Sequence, residues 1–189
     1  MQIKLRYPQI TLILFLFVLF NNSVPAHCDT MDGPVVKASQ KALETGNINY
    51  VLIWVKAGDE NQIKDIFQKV LKVRTLNNDA KELADNYFFE TVVRLHRMGE
   101  GEPYTGIKPS GYKPGKGIEA ADLAVEKNSI EPVLSIIDEK YLAAAKDMFA
   151  DLQSKKNYDI DDVKAGREYV TSYIHFIHYI AEASGEVSE

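Results

Sequence analysis

Apolar residues recur at three- and four-residue intervals through most of the chain, and no stretch alternates apolar and polar residues long enough to suggest a strand. Ile63, Ile66, Phe67, Val70, Leu71 and Val73 form one such stripe. Asp59-Glu60-Asn61-Gln62 just before it resembles a capping arrangement at a helix start. A second helix is predicted from near Asn78 to Gly99, with that glycine as its end cap. Later in the chain the corresponding pair covers about 139–154 and 159–184, with Gly185 as the stop. The pattern predicts an all-α protein.

The two sets of helices recur at a fixed spacing. Sliding the chain against itself by 82 residues aligns Ala42, Glu44, Ile48, Val51 and Leu52 with Ala124, Glu126, Ile130, Val133 and Leu134. The same offset aligns Lys64-Asp65-Ile66-Phe67 with Lys146-Asp147-Met148-Phe149, and Asp79, Tyr87 and His96 with Asp161, Tyr169 and His178. The expectation is a single helical domain over 27–189 made of two homologous units, about 34–98 and 117–180. Each is a short helix, a turn and a long helical hairpin. Two hairpins with matching apolar faces predict a four-helix-bundle-like domain. The loop 99–116 that joins them is crowded with glycine and proline. Two readings stand for it: a lid whose Tyr104, Ile107 and Tyr112 pack on the bundle, or a plain linker. Its glycines do not lead from a strand into a helix, so nucleotide binding has no support.

Residues 1–26 read as a secretory leader: Lys4 and Arg6, an apolar run over 10–20, then Val24 and Ala26 as the small residues before a cut. Export to the periplasm or the exterior follows from that reading. No other segment is long and apolar enough to span a bilayer. Without the leader, Lys and Arg number 20 against 27 Asp and Glu, a net charge of about −7 that argues against nucleic-acid or anionic-membrane partners. The single cysteine, Cys28, cannot form an internal disulfide. It is a free thiol, a bridge in a homo-oligomer, or a ligand. A lipid anchor is disfavoured because His27 stands where such a signal needs a small residue.

Cutting after Ala26 exposes His27-Cys28-Asp29, which puts an α-amine, an imidazole and the only thiol in two residues. Amine, Cys28 amide nitrogen and thiolate close fused chelate rings, with the imidazole at the side. Such a near-planar nitrogen and thiolate set suits Cu(II) or Ni(II). An accidental His-Cys start is the competing reading. His96 lies on a stripe with Phe89 and Val92; His178 lies with Val170, Ile174, Ile177 and Ala181, and His175 sits one turn earlier. These histidines are either ligands or core residues with satisfied ring nitrogens. Tyr87, Tyr169 and Tyr173 are read as core filling. Glu90 and Glu168 either support ligands or make contacts with Arg94 and Arg167. There is no Glu-x-x-His pair for a carboxylate di-iron centre and no nucleophile elbow. A thiol on a flexible terminus would be poorly held for hydrolysis.

The His27-Cys28-Asp29 opening ahead of a helical bundle resembles the hook of nickel superoxide dismutase, an exported enzyme. The resemblance covers about seven residues. It implies nickel held by the His27 amine and imidazole and the Cys28 amide and thiolate. That hook has a second cysteine at its sixth residue, where this chain has Asp32. The whole chain is also similar to an uncharacterised family of exported bacterial helical proteins that begin with the same pattern, which implies a shared fold. The candidate metal residues are therefore His27, Cys28, Asp32, His96 and His178, with Met31 an alternative for the remaining position. The expected cofactor is nickel or copper. The expected function is a metal-dependent oxidoreductase acting on superoxide or another small oxidant. The alternatives are a copper or nickel carrier or sensor without turnover, or a structural helical bundle in which Cys28 serves dimer formation.

Overall fold

The computed structural model describes residues 27–185, His27 by its backbone alone, so the predicted leader over 1–26 lies outside the described residues. Among the described residues there are eight α-helices and no strand: α1 Pro34–Thr45, α2 Asn49–Leu52, α3 Glu60–Val73, α4 Asn78–Glu100, α5 Lys116–Lys127, α6 Glu131–Leu134, α7 Glu139–Lys155 and α8 Val163–Ala183. The all-α expectation holds. None of these helices is long and apolar enough to cross a membrane.

In α1, Pro34 occupies the first turn, where its missing N–H is no loss, and Gly46 closes the helix at φ 74. Its inward face is Val35, Val36, Ser39, Ala42 and Leu43. That of α5 is Gly117, Ile118, Ala121, Ala124 and Val125, each 82 positions later. The bounds of α1 and α2 recur at this offset in α5 and α6, as does the end of α3 in α7. The fourth helix departs from it. Four residues separate α3 from α4, but seven separate α7 from α8, so α8 starts 85 positions after α4. The ring partners differ as well. Phe67 packs on Phe88 with ring centroids 5.5 Å apart, and Phe149 packs on Phe176 at the same distance, although Phe176 does not lie 82 positions after Phe88.

Three helix ends differ from the sequence expectation, each for a local reason. Helix α4 runs through Gly99 to Glu100, and Gly101, at φ 85, is the residue that takes the left-handed cap. Helix α8 begins at Val163 because Asp162 supplies the capping oxygen to the Ala165 N–H, 3.0 Å away; Asp159 accepts from the Asp161 N–H in the preceding turn. Asp59 precedes α3 without a side-chain cap, since its own backbone is already helical at φ −95, ψ −5.

The longest helix of each half lies between two others: α4 packs on α1 and α3, and α8 on α5 and α7. The first core centres on Val35, Leu52, Phe67, Phe88 and Val92, the second on Ile118, Val133, Leu152, Phe176 and Ile180. Each hairpin's apolar face is thus covered largely within its own half. Trp54 belongs to both cores. It makes edge contacts with His96 and Tyr173 at centroid distances of 5.6 and 5.9 Å. Gly166 lies so close to Ile53 that a Cβ would clash. Arg167 donates to the Val55 carbonyl at 3.0 Å and pairs with Glu60 at 2.7 Å, and Asn49 donates to Asp161 at 2.9 Å. Tyr173 is buried and Tyr169 partly so, but Tyr87 is 57% exposed, which corrects its reading as core filling.

Candidate metal site at the terminal turn

His27–Asp29 form a single 3-10 turn that leads through Thr30 to α1. The turn's second and third residues are inside the protein: Cys28 is 7% exposed and Asp29 0%. The joining loop fastens it there. The Lys108 N–H donates to the Asp29 carbonyl at 2.7 Å, and the Met31 N–H donates to the Lys108 carbonyl at 3.0 Å. The Gly111 N–H donates to Asp32 Oδ2 at 2.9 Å. Tyr104 and Ile107 pack against the first core, while Tyr112 stays exposed. The loop therefore does more than link two halves: it lies over the terminal segment and pairs with it.

Carboxylates crowd this turn around one buried cation. Arg97, 3% exposed, has Nε 3.6 Å from Asp29 Oδ2, Nη1 3.2 Å from Glu100 Oε2 and Nη2 3.7 Å from Glu102 Oε2. Arg97 Nε and Glu100 Oε1 complete no hydrogen bond among the described residues. Burial pushes the Cys28 thiol well above its ordinary pKa; the Glu100 and Asp29 carboxylates add to the rise and Arg97 opposes it. Burial also raises Glu100, against the pull of Arg97 and His178. Tyr173 donates its hydroxyl to Asp122 at 2.7 Å, and burial pushes that phenol far up as well.

His96 Nδ1 is 2.9 Å from the Trp54 carbonyl, which can only accept, so this nitrogen carries the proton. Its Nε2 faces Glu100 Oε1 at 3.4 Å. His178 is half-buried, with its pKa lowered by burial, and His175 is exposed. His96, Glu100, His175 and His178 nevertheless line one cleft of about 350 Å³ between the halves, with Lys56 and Arg167 on its walls. Asp32 is exposed and faces the loop; the Gly111 hydrogen bond is the main reason its pKa is lowered. Met31 packs on the first core. Glu168 is a surface residue 3.5 Å from Lys164. The structure thus brings Cys28 into the seam and gathers His96 and His178 at the cleft, but leaves Asp32 at the surface. Among the described residues no three His, Cys, Asp or Glu side chains are placed to hold one metal ion.

Residues 32–179 match a family described as a family of unknown function, DUF6448. The chain belongs to that family. The matched stretch begins after the terminal turn and reaches into α8. No curated protein and no solved structure matches the chain. Within this family member, sequence reasoning missed Arg97, Glu100 and Asp122 as surroundings of Cys28, and Trp54 as the partner of His96. One signal was available. Val93, His96, Arg97 and Glu100 fall at i, i+3, i+4 and i+7 of α4, which places three polar residues on a stripe that begins in the core.

Proposed function

We propose that the protein, freed of residues 1–26 on export, binds a transition-metal ion at His27 and Cys28. That metal serves one-electron exchange with superoxide or another small oxidant. The observation that carries this reading is the setting of Cys28: a buried thiol among the carboxylates of Asp29, Glu100 and Asp122, with Arg97 as the counter-charge. A thiol so placed stays protonated by its own surroundings. A metal cation would offset the excess negative charge and take the thiolate. The donors fit nickel or copper: the His27 amine and imidazole with the Cys28 amide and thiolate. Met31, Asp32, His96 and His178 remain candidates for a further position, and Asp32 already accepts the Gly111 N–H through Oδ2.

The same setting counts against two alternatives. A buried thiol held protonated is a poor nucleophile for hydrolysis, and its burial counts against a bridge to a second chain. Binding without turnover, as in a carrier or sensor, gains support from the low exposure of Cys28. The two halves are further read as copies of one ancestral unit, on the strength of the shared bounds of their early helices.

The test is the protein with its processed terminus, compared with a form carrying one extra residue before His27 and with Cys28→Ser. Elemental analysis and visible spectra are expected to show bound nickel or copper in the first and little in the other two. Equal metal content and spectra in all three would overturn the terminal site. Superoxide turnover by the metallated protein then separates a redox enzyme from a carrier.

A further inference from the structure

We propose that Arg97 is the positioning residue of the terminal turn: through Asp29 it holds His27–Asp29 in the seam between the two halves. The inference rests on the terminal-site reading for its purpose, but its geometry stands separately. Arg97 comes from the last turn of α4, a rigid helix of 23 residues, and its guanidinium is fixed on three sides. Glu100 and Glu102 orient it at 3.2 and 3.7 Å, and the remaining edge meets Asp29 Oδ2 at 3.6 Å. Asp29 is fully buried, so its carboxylate would be costly there without a cation nearby. Cys28 is covalently next to Asp29, and any displacement of Asp29 displaces the thiol. The Lys108 backbone pairs grip the same segment from the loop side. The turn is thus clamped between a helix-borne charge and a backbone bridge, although in the processed chain only residues 27–33 precede α1. A ligand set built on a chain terminus needs such a clamp, because geometry held only by a free end is too loose for chemistry.

The single cysteine makes the seating of the turn directly readable. Alkylation of Cys28 is followed on metal-free protein with the processed terminus, in wild type, Asp29→Asn, Arg97→Lys and Arg97→Met. Charge alone acts oppositely in the two neutralising changes: loss of Asp29 favours the thiolate and loss of Arg97 disfavours it. Loss of seating speeds labelling in both. The expected result is a rise of at least about tenfold in Asp29→Asn and Arg97→Met, with Arg97→Lys between them and wild type. The rise should not depend on urea below the unfolding transition, because local opening exposes little surface. The double variant should label no faster than the faster single one, since the two residues act as a pair. If Arg97→Met does not fold, Asp29→Asn decides. Wild-type labelling in folded Asp29→Asn, or a rise that tracks global unfolding in urea, would overturn the positioning role. Faster labelling in a protein whose native terminus takes up no metal would uphold the seating and remove the metal reading instead.

Discussion

Two arginine clusters on the first hairpin use the same side-chain chemistry with opposite balance. Arg74 meets Asp85 with both arms, Nε at 2.7 Å and Nη2 at 3.0 Å, while Lys81 adds a second cation at 3.0 Å. Burial opposes ionisation of Asp85, but these hydrogen bonds outweigh it and hold its pKa below the ordinary value. Two cations serve one carboxylate, and the cluster ties the short connection after α3 to α4 and to the Leu43 carbonyl. Arg97 shows the reverse. One cation serves three carboxylates at 3.2 to 3.7 Å, deeper in the protein, and Glu100 is left with a raised pKa. The first cluster is what a sequence arranges for stability. The second gathers three carboxylates on one arginine beside the only thiol, a local departure from the satisfied pairing of the first.

Removing each arginine in turn should separate the clusters most widely. Arg97→Met removes the buried cation that faces Asp29, Glu100 and Glu102 and should cost about 3–5 kcal/mol. Arg74→Met leaves Lys81 on Asp85 and should cost about 1–3 kcal/mol, the range for a charge-assisted hydrogen bond. Urea unfolding of the two variants gives the comparison. Equal losses would mean that burial, and not the count of partners, governs both clusters.

Neutralising one carboxylate in each should give effects of opposite sign. Asp85→Asn should destabilise by about 1–3 kcal/mol at neutral pH, because it weakens a satisfied pair. Glu100→Gln removes a charge from the crowded cluster and offers an amide N–H to His96 Nε2. It should be neutral or stabilising by about 1 kcal/mol. The pH dependence sharpens the contrast. The folded pKa of Asp85 is depressed, so its contribution is present above the ordinary value of 3.8 and lost as pH falls through the folded value. The folded pKa of Glu100 is raised, so its contribution is fully present below 4.5 and lost as pH rises through the folded value. The advantage of Glu100→Gln should therefore vanish on acidification towards 4.5, whereas the deficit of Asp85→Asn should persist until lower pH. Unfolding midpoints measured from pH 7 to pH 3 check both. Parallel curves for the two variants would dissolve the distinction.

What was legible in the sequence follows the range of the interactions. Helix class and the inner faces of α1 and α5 depend on three- and four-residue spacing, which the chain displays openly. The constant offset of 82 was also legible, but its loss in α8 was not. A connection three residues longer leaves side-chain matches in place, yet the ring partner of Phe149 is Phe176, which the offset of 82 does not predict from Phe88. Gly99 and Gly101 were both available as caps, and only the helix's own hydrogen bonds chose between them. The sequence singled out Cys28, and the structure puts it in the seam. It did not single out Arg97, because the partner Asp29 is distant in sequence and is brought there by folding. Asp32 drew attention through a resemblance over a few residues; its hydrogen bond to Gly111 depends on how a glycine-rich loop lies, which no periodicity encodes.

Asp32→Ala should have the smallest effect and still divide two roles. The side chain is exposed, and its hydrogen bond to the Gly111 N–H competes with water, so stability should fall by less than about 1 kcal/mol. The loop would still be held by the Lys108 backbone pairs and by Tyr104 and Ile107 on the core. If Asp32 only fastens the loop, metal uptake by the processed protein should match wild type in stoichiometry and spectrum, while protease cleavage near Gly111 becomes modestly faster. If Asp32 leaves Gly111 to bind metal, the spectrum and affinity should change although stability does not. Its position on the outer side of the turn, bonded to the loop and away from the Arg97 cluster, favours the first outcome. A metal titration paired with thermal unfolding of this single variant decides between a ligand and a latch.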